Sequence, residues 1–277
     1  MKTRLDQELV RRGLVASRSQ AESYIRLGKV SVDGRTITKP GFFVSETTEI
    51  KLDQDEQFVS RAALKLKSVA DKLSINFIDK IILDIGSSTG GFTEFALSRG
   101  AKKVIAVDVG TDQLHPKLRG NPKIELHEKT DIRDVISEPN HSSGERDSSL
   151  SSQVSSLPLL PSKRASPKQD LVRLSEVPDI ILADVSFISL REILPYVANN
   201  LSSKNTQIIA MVKPQFESGG RVKNSGVIKN DTERRKILKD FEQWAKQYFL
   251  IQDKADSEIK GTNGNQERFY LLKKLAY

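Results

Sequence analysis

Residues 81–92 read Ile-Ile-Leu-Asp-Ile-Gly-Ser-Ser-Thr-Gly-Gly-Phe, and this stretch decides the fold. An apolar run of strand length enters a glycine-rich turn, and the turn opens the helical pattern FTEFALSRG. A second apolar run, VIAVDV at 104–109, follows at once. Further along lie DIILAD (179–184) and TQIIAMV (206–212). Short buried strands alternating with helices imply a parallel sheet covered by helices on both faces. In such sheets ligands bind beyond the carboxyl ends of the strands, at the crevice where the strand order reverses. Two more strands, near 251–259 and 267–273, and a helix from Thr232 to Tyr248 complete the reading.

The crevice residues follow from this placement. Gly86, Ser87, Ser88, Thr89, Gly90, Gly91 and Phe92 form the turn. Its glycines let a ligand approach the backbone, and the amides at the helix start suit an anion or a carboxylate. A phosphate-binding P-loop is excluded, because the Gly-Lys-Ser/Thr ending is missing. Asp108 ends the second strand, at about the ~20-residue offset of a ribose-binding carboxylate. The pair fits a dinucleotide or S-adenosylmethionine.

Four more residues fall at the end or flank of an element. Asp184 ends DIILAD, Lys213 ends IIAMVK, Glu267 starts ERFYLL, and Lys65 lies in SRAALKL just before the first core strand. Two lysines and two carboxylates beside a cofactor loop suit removal of a proton from a weakly acidic group. Lys213 is the natural general base, Lys65 the nearby cation, and Asp184 and Glu267 the groups that orient them. An amino-group methyltransferase would carry Asn/Asp-Pro-Pro-aromatic at the fourth strand, whereas this chain has Asp184-Val-Ser-Phe187. A pyrimidine-carbon methyltransferase working through a covalent adduct needs a cysteine, and there is none. A hydroxyl acceptor remains.

Composition sets the outer bounds. The 277 residues carry 44 basic and 36 acidic side chains, a net charge of +8, which suits a polyanionic partner. The absence of cysteine excludes disulfides and thiolate sites. The three histidines have no metal-ligand spacing, so no metal is expected. The start, MKTRLDQELVRRG, lacks an apolar signal core, and no run approaches the ~20 apolar residues of a membrane span. The expectation is a cytoplasmic protein without a membrane partner.

Residues 1–55 read as a small α+β unit, joined by a linker at 56–59 to a larger domain at 60–277. Thr3 is expected to cap a first helix that stops at Gly13, and Ser19 with Glu22 matches a capping box for a second helix ended by Gly28. KVSVDGRTI reads as a hairpin turning at Asp33-Gly34, and TTEIKL as its closing strand. Arg4, Arg11, Arg12, Arg18, Arg26, Lys29 and Arg35 decorate this unit and read as a phosphate-binding face. Residues 137–170 are rich in serine and proline without periodicity, which predicts a disordered insertion between the third and fourth core strands.

Residues 4–41, RLDQELVRRGLVASRSQAESYIRLGKVSVDGRTITKPG, resemble the alpha-L RNA-binding domain of ribosomal small-subunit protein four, pseudouridine synthases and tyrosyl-tRNA synthetases. That resemblance turns the stretch from Arg18 to Arg26 toward RNA. GSSTGGFTEFAL, AVDVGTDQL, ADVSFISL, VKPQFE, SGVIKN and GNQERFYLL resemble the TlyA (hemolysin A) family of ribosomal RNA 2′-O-methyltransferases, whose catalytic part is related to the FtsJ/RrmJ enzymes. The resemblance covers the chain outside 137–170. It implies a Rossmann-like α/β sheet that uses S-adenosylmethionine, preceded by the small α+β RNA-binding unit. It also implies a catalytic tetrad of Lys65, Asp184, Lys213 and Glu267, a cofactor loop at Gly86 to Phe92, and Asp108 on the ribose. Where the family often has Thr-Asn-Ala/Val-Arg beside the adenine, this chain has Thr130-Asp131-Ile132-Arg133, so Asp131 takes that place. The implied reaction is methylation of a cytidine 2′-hydroxyl in ribosomal RNA or a ribosomal subunit. The chain ends at Tyr277 without the tail of members that modify both subunits, which points to the large subunit. Two other classes compete: a membrane-active hemolysin, disfavoured by the missing apolar segments, and a non-catalytic RNA-binding assembly factor, disfavoured by the intact tetrad.

Overall fold

The computed structural model describes residues 2–15, 17–26, 28–53, 58–137, 171–219, 226–228, 230–261 and 264–275. Apart from Ser137, the expected insertion at 137–170 lies outside the described residues. Seven strands form the main sheet: β1 (Ile81–Ile85), β2 (Lys103–Val107), β3 (Ile124–His127), β4 (Ile180–Ala183), β5 (Gln207–Val212), β6 (Phe249–Asp256) and β7 (Arg268–Lys274). Their order is β6-β7-β5-β4-β1-β2-β3. β1 to β5 are parallel, and β7 runs antiparallel between β5 and β6. The order reverses between β1 and β4, which places the crevice at their carboxyl ends.

Alternation along the strands divides the core in two. Ile82, Val104, Leu182, Met211 and Phe269 face one layer, and Leu83, Ile105, Ile181, Ala210 and Tyr270 face the other. Helix α3 (Arg61–Ala70) and helix α4 (Gly91–Ser98) cover the first face, burying Leu66, Val69, Phe92 and Phe95. Ser60 caps α3 by accepting a hydrogen bond from the Ala62 amide at 3.2 Å. The helices Leu194–Asn200 and Asp231–Ala245 cover the second face, the latter burying Ile237, Leu238, Phe241 and Ala245 at helical spacing.

In the N-terminal unit, helix α1 (Leu5–Arg11) and helix α2 (Arg18–Arg26) lie beside a three-stranded sheet of Arg35–Thr36, Val30–Val32 and Ile50–Leu52. The turn at Asp33-Gly34 has both residues at positive φ, 47° and 76°, as a two-residue hairpin loop requires. Two capping expectations are corrected. Thr3 does not cap α1: it sits in a strand, Lys2–Arg4, paired antiparallel with Phe43–Ser45, and Arg4 occupies the cap position without a side-chain bond to the helix amides. α2 begins one residue before Ser19, and Ser17 accepts the Gln20 amide at 3.2 Å in its place. Because the helix starts at Arg18, Ser17 is the residue before its first turn and Ser19 already lies inside it.

The small unit shares a core with the catalytic sheet. Leu5, Leu9, Ile25 and Val30 are continuous with Phe58, Leu66 and Phe95. Arg61 Nε donates to Ser23 Oγ at 3.0 Å, and Gln20 Nε2 to the Phe58 carbonyl at 3.3 Å. Phe95 is the central ring of this contact, edge-on to Phe58 at 5.9 Å and to Phe77 at 5.7 Å. Phe95→Ala should lower the free energy of unfolding by about 3–5 kcal/mol through the lost transfer energy and the cavity left behind. Chemical denaturation measures this, and a change below about 1 kcal/mol would show that the site collapses without cost.

Candidate active site

β1, β4 and β5 end at one edge of the sheet, and antiparallel β7 begins there. Ala183 pairs with Ile85 and Ala210, and Val212 pairs with Arg268. Gly86, Asp184, Lys213 and Glu267 therefore emerge side by side. Lys213 Nζ lies 2.6 Å from Asp184 Oδ1, an ion pair without hydrogen-bond alignment, and donates to Ser186 Oγ at 2.6 Å. Lys65, on α3, donates to Glu267 Oε1 at 3.0 Å. All four side chains are largely buried, at 12% exposure for each lysine, 16% for Asp184 and 3% for Glu267. Glu267 Oε2 is buried without a hydrogen-bond partner among the described residues. The structure thus gathers the four expected residues into two lysine–carboxylate pairs. Lys65 is joined to Glu267, so its positive charge is balanced within its own pair.

The glycine loop has its conformation for a steric reason. Gly86 has φ +78°, and a Cβ there would lie 2.6 Å from the Asp184 carbonyl. Gly90 has φ +89°, and its Cβ would meet Leu118 at 2.5 Å. A side chain at Gly86 would collide with the backbone that follows β4, and one at Gly90 would press on Leu114 and Leu118. Gly90 leaves the start of α4 without a side-chain cap, so the amides of its first turn face the loop. Ser87 Oγ is buried without a partner among the described residues. Asp108 is 8% exposed and accepts the Ser88 amide at 2.8 Å through Oδ2 and the Gly110 amide at 2.7 Å through Oδ1. It therefore shapes the loop as well as ending β2. Asp131 is tied to Arg133, accepting its backbone amide and Nε at 2.9 Å on Oδ1 and Nη2 at 2.5 Å on Oδ2.

Three neighbours were not legible as site residues in the sequence. Ser186 follows Asp184 by two positions and holds Lys213. Phe187 has φ +67°, strained for a bulky residue, is 79% exposed, and stands 5.5 Å from the Phe216 ring. Buried Glu217 anchors this loop, accepting Ser189 Oγ at 2.6 Å and the Leu190 amide at 2.8 Å, and burial pushes its carboxyl up. Only their nearness to a strand end could have marked them.

Residues 58–274 match the model of the FtsJ-like methyltransferases, and residues 3–50 match the S4 domain. A protein of Mycobacterium tuberculosis named 16S/23S rRNA (cytidine-2′-O)-methyltransferase TlyA is 35% identical over 277 residues, which cover 98% of this chain and 90% of that protein. The chain belongs to the TlyA (hemolysin A) family of FtsJ-like methyltransferases. A second TlyA, the 23S rRNA (cytidine-2′-O)-methyltransferase of Campylobacter jejuni, is 40% identical over 228 residues, covering 81% of this chain and 74% of the other. Hemolysin A of Brachyspira hyodysenteriae is 33% identical over 266 residues, covering 95% and 97%. A solved structure named as a hemolysin, from Streptococcus thermophilus, has a TM-score of 0.61 at 32% identity and covers 99% of this chain and 88% of that one. The large, mainly parallel seven-stranded sheet is typical of S-adenosylmethionine-dependent methyltransferases.

Asp84, two residues before the loop, is fully buried and accepts Thr93 Oγ1 at 2.6 Å, while its Oδ1 has no partner among the described residues. Burial pushes its carboxyl up to about 7; the hydrogen bonds from Thr93 oppose this, and the charges of Asp184 and Asp108 reinforce it. The folded carboxyl keeps its proton to higher pH than the unfolded one, whose ordinary value is 3.8. Its stabilising contribution is therefore complete below that value and is lost as pH rises to about 7. Asp84→Asn should flatten the fall of stability across this window, measured by denaturation at a series of pH values. A slope unchanged from the parent protein would mean that Asp84 does not titrate there.

Proposed function

We propose that the chain catalyses S-adenosylmethionine-dependent 2′-O-methylation of a cytidine ribose in ribosomal RNA, of the large subunit. The observation that carries this reading is the pair of buried lysine–carboxylate contacts at the sheet edge, next to a glycine loop that side chains would obstruct. Among the described residues no helix is long and apolar enough to cross a membrane.

Gly86 to Phe92 would hold the cofactor with backbone amides and the Ser87 hydroxyl, Asp108 would take its ribose, and Asp131 would keep lone pairs for its adenine amine. When bound, S-adenosylmethionine supplies a methyl group made electrophilic by the sulfonium. The protein contributes position and proton handling. Lys213 would take up the 2′-hydroxyl proton at Nζ, and Asp184 and Ser186 hold Nζ in place. Lys65, steadied by Glu267, points its remaining N–H donors at the ribose. The exposed Phe187 ring offers the neighbouring base a flat surface. The domain from Phe58 onward, which starts two residues before the expected boundary because Phe58 belongs to its core, supplies the chemistry, and the N-terminal unit supplies the RNA anchor. The cytoplasm is where such a substrate resides.

Lys213→Ala should lower methyl transfer to ribosomal RNA by about 10²–10⁴-fold while cofactor binding persists. Radiolabelled methyl transfer, with 2′-O-methylation mapped on the RNA, measures the first, and calorimetry the second. Turnover near that of the parent would remove Lys213 from the mechanism. Asp108→Ala should weaken S-adenosylmethionine binding by about 1–3 kcal/mol, the range for a lost hydrogen bond to a charged group. An unchanged calorimetric affinity in a folded variant would defeat the ribose assignment.

A further inference from the structure

The basic face of the N-terminal unit is more ordered than a scatter of exposed charges. Asp6, at the start of α1, has a fully buried side chain and holds two arginines at once. Arg4 donates to it through Nε and Nη2, both at 2.9 Å, and Arg18 through Nε at 3.1 Å and Nη2 at 2.9 Å. Both arginines remain open to solvent, at 40% and 51% exposure. Each guanidinium has further N–H donors beyond those spent on Asp6. Two cations around one carboxylate leave an excess positive charge, fixed in direction by a buried anchor. One phosphate would balance it.

An aromatic ring adjoins this pair. Phe43 lies directly across the strand ladder from Arg4, and residues so opposed share one face of the ribbon. Val44, the next residue, turns inward and is buried, so Phe43 turns outward and is 60% exposed. The Arg4 guanidinium packs on the same segment, with Cζ 3.6 Å from where a Cβ on Gly41 would stand. A guanidinium pair beside an exposed ring matches the two faces of an unpaired nucleotide, its phosphate and its base. A duplex, with its bases stacked inside, offers only the phosphate. The other two basic residues expected here differ: Lys29 is joined to Asp53, and Arg26 stands exposed.

We propose that Arg4, Arg18 and Phe43 form one subsite for an unpaired nucleotide of the substrate RNA, with Asp6 as the positioning residue that sets the two guanidiniums. This rests on the RNA-methylating function proposed above and names the part of the substrate that the N-terminal unit grips.

The test uses the full chain and two probes, a single-stranded RNA of about twelve nucleotides bearing 2-aminopurine and a blunt duplex of the same length. Binding should quench the 2-aminopurine fluorescence in the single strand. Phe43→Ala should abolish the quenching and weaken single-strand binding about tenfold without changing its salt slope, while Phe43→Tyr restores both. Asp6→Asn should weaken binding to both probes, although it removes a negative charge. It should also reduce the salt slope by roughly 0.7–0.9 for each phosphate that the displaced guanidiniums no longer neutralise. Unchanged quenching in Phe43→Ala overturns the stacking site, and tighter binding by Asp6→Asn overturns the positioning role. If methyl transfer to ribosomal RNA proceeds while Phe43→Ala binds both probes as the parent does, the subsite alone falls. If the parent chain neither binds RNA nor methylates it, the functional reading falls with it.

Discussion

One strand direction governs the catalytic edge. Five parallel strands can deliver only residues that follow a strand to the crevice, and these are Gly86, Asp108, Asp184 and Lys213. Because β7 runs the other way, the residue before it arrives at the same edge, and Glu267 lands beside Lys213 through the pairing of Val212 with Arg268. Lys65 then needs only one helix laid across the strand ends to reach Glu267. Moving that register by one residue would turn Phe269 and Leu271 from the α3–α4 layer to the opposite one, so the core itself holds the carboxylate in place.

Buried charge is expensive unless paired, and the chain meets that demand repeatedly with the same device. Glu8 resembles Asp6 in holding two arginines, Arg11 and Arg12, and their hydrogen bonds keep its carboxyl at about 2. Asp256 likewise holds Arg234 and Arg268. Asp84 departs from this device. It has a threonine in place of a cation, and burial leaves it with a raised carboxyl next to two other acidic strand ends. Among the described residues many cations are held in ion pairs, and where two arginines share one carboxylate the net positive charge is fixed in place.

Much of this was legible in the sequence. Strand-length apolar runs, the glycine turn and the alternation with helices carried the sheet, because burial on both faces imprints itself on local composition. Asp184, Lys213 and Glu267 could be read because each flanks a strand end, whereas Lys65, expected at the flank of the first strand, lies in the middle of α3 and reaches the site from the helix face. What escaped depends on contacts between distant segments. The strand at Lys2–Arg4 forms only because Phe43–Ser45 is there to pair with it, so Thr3 looked like a helix cap. Ser17 and Ser19 are equivalent as local signals, and only the start of α2 at Arg18 separates them. Ser186 and Phe187 gain their roles from Lys213 and Phe216, almost thirty residues downstream. The pairing of each lysine with its own carboxylate is likewise a tertiary fact.

The continuous core under the two units has a geometric consequence. Phe58, Phe95 and Leu66 pack with Leu5, Leu9 and Ile25 in one body, so among the described residues a shared core holds α1 and α2 against the catalytic domain. The interval between the surface of the small unit and the ammonium of Lys213 is therefore set by side-chain packing, as the gap of a caliper is set by its frame. An RNA that touches both ends has to present its grip point and its acceptor ribose at that one interval. Selection among many chemically identical cytidines then becomes a matter of length and shape in the folded RNA.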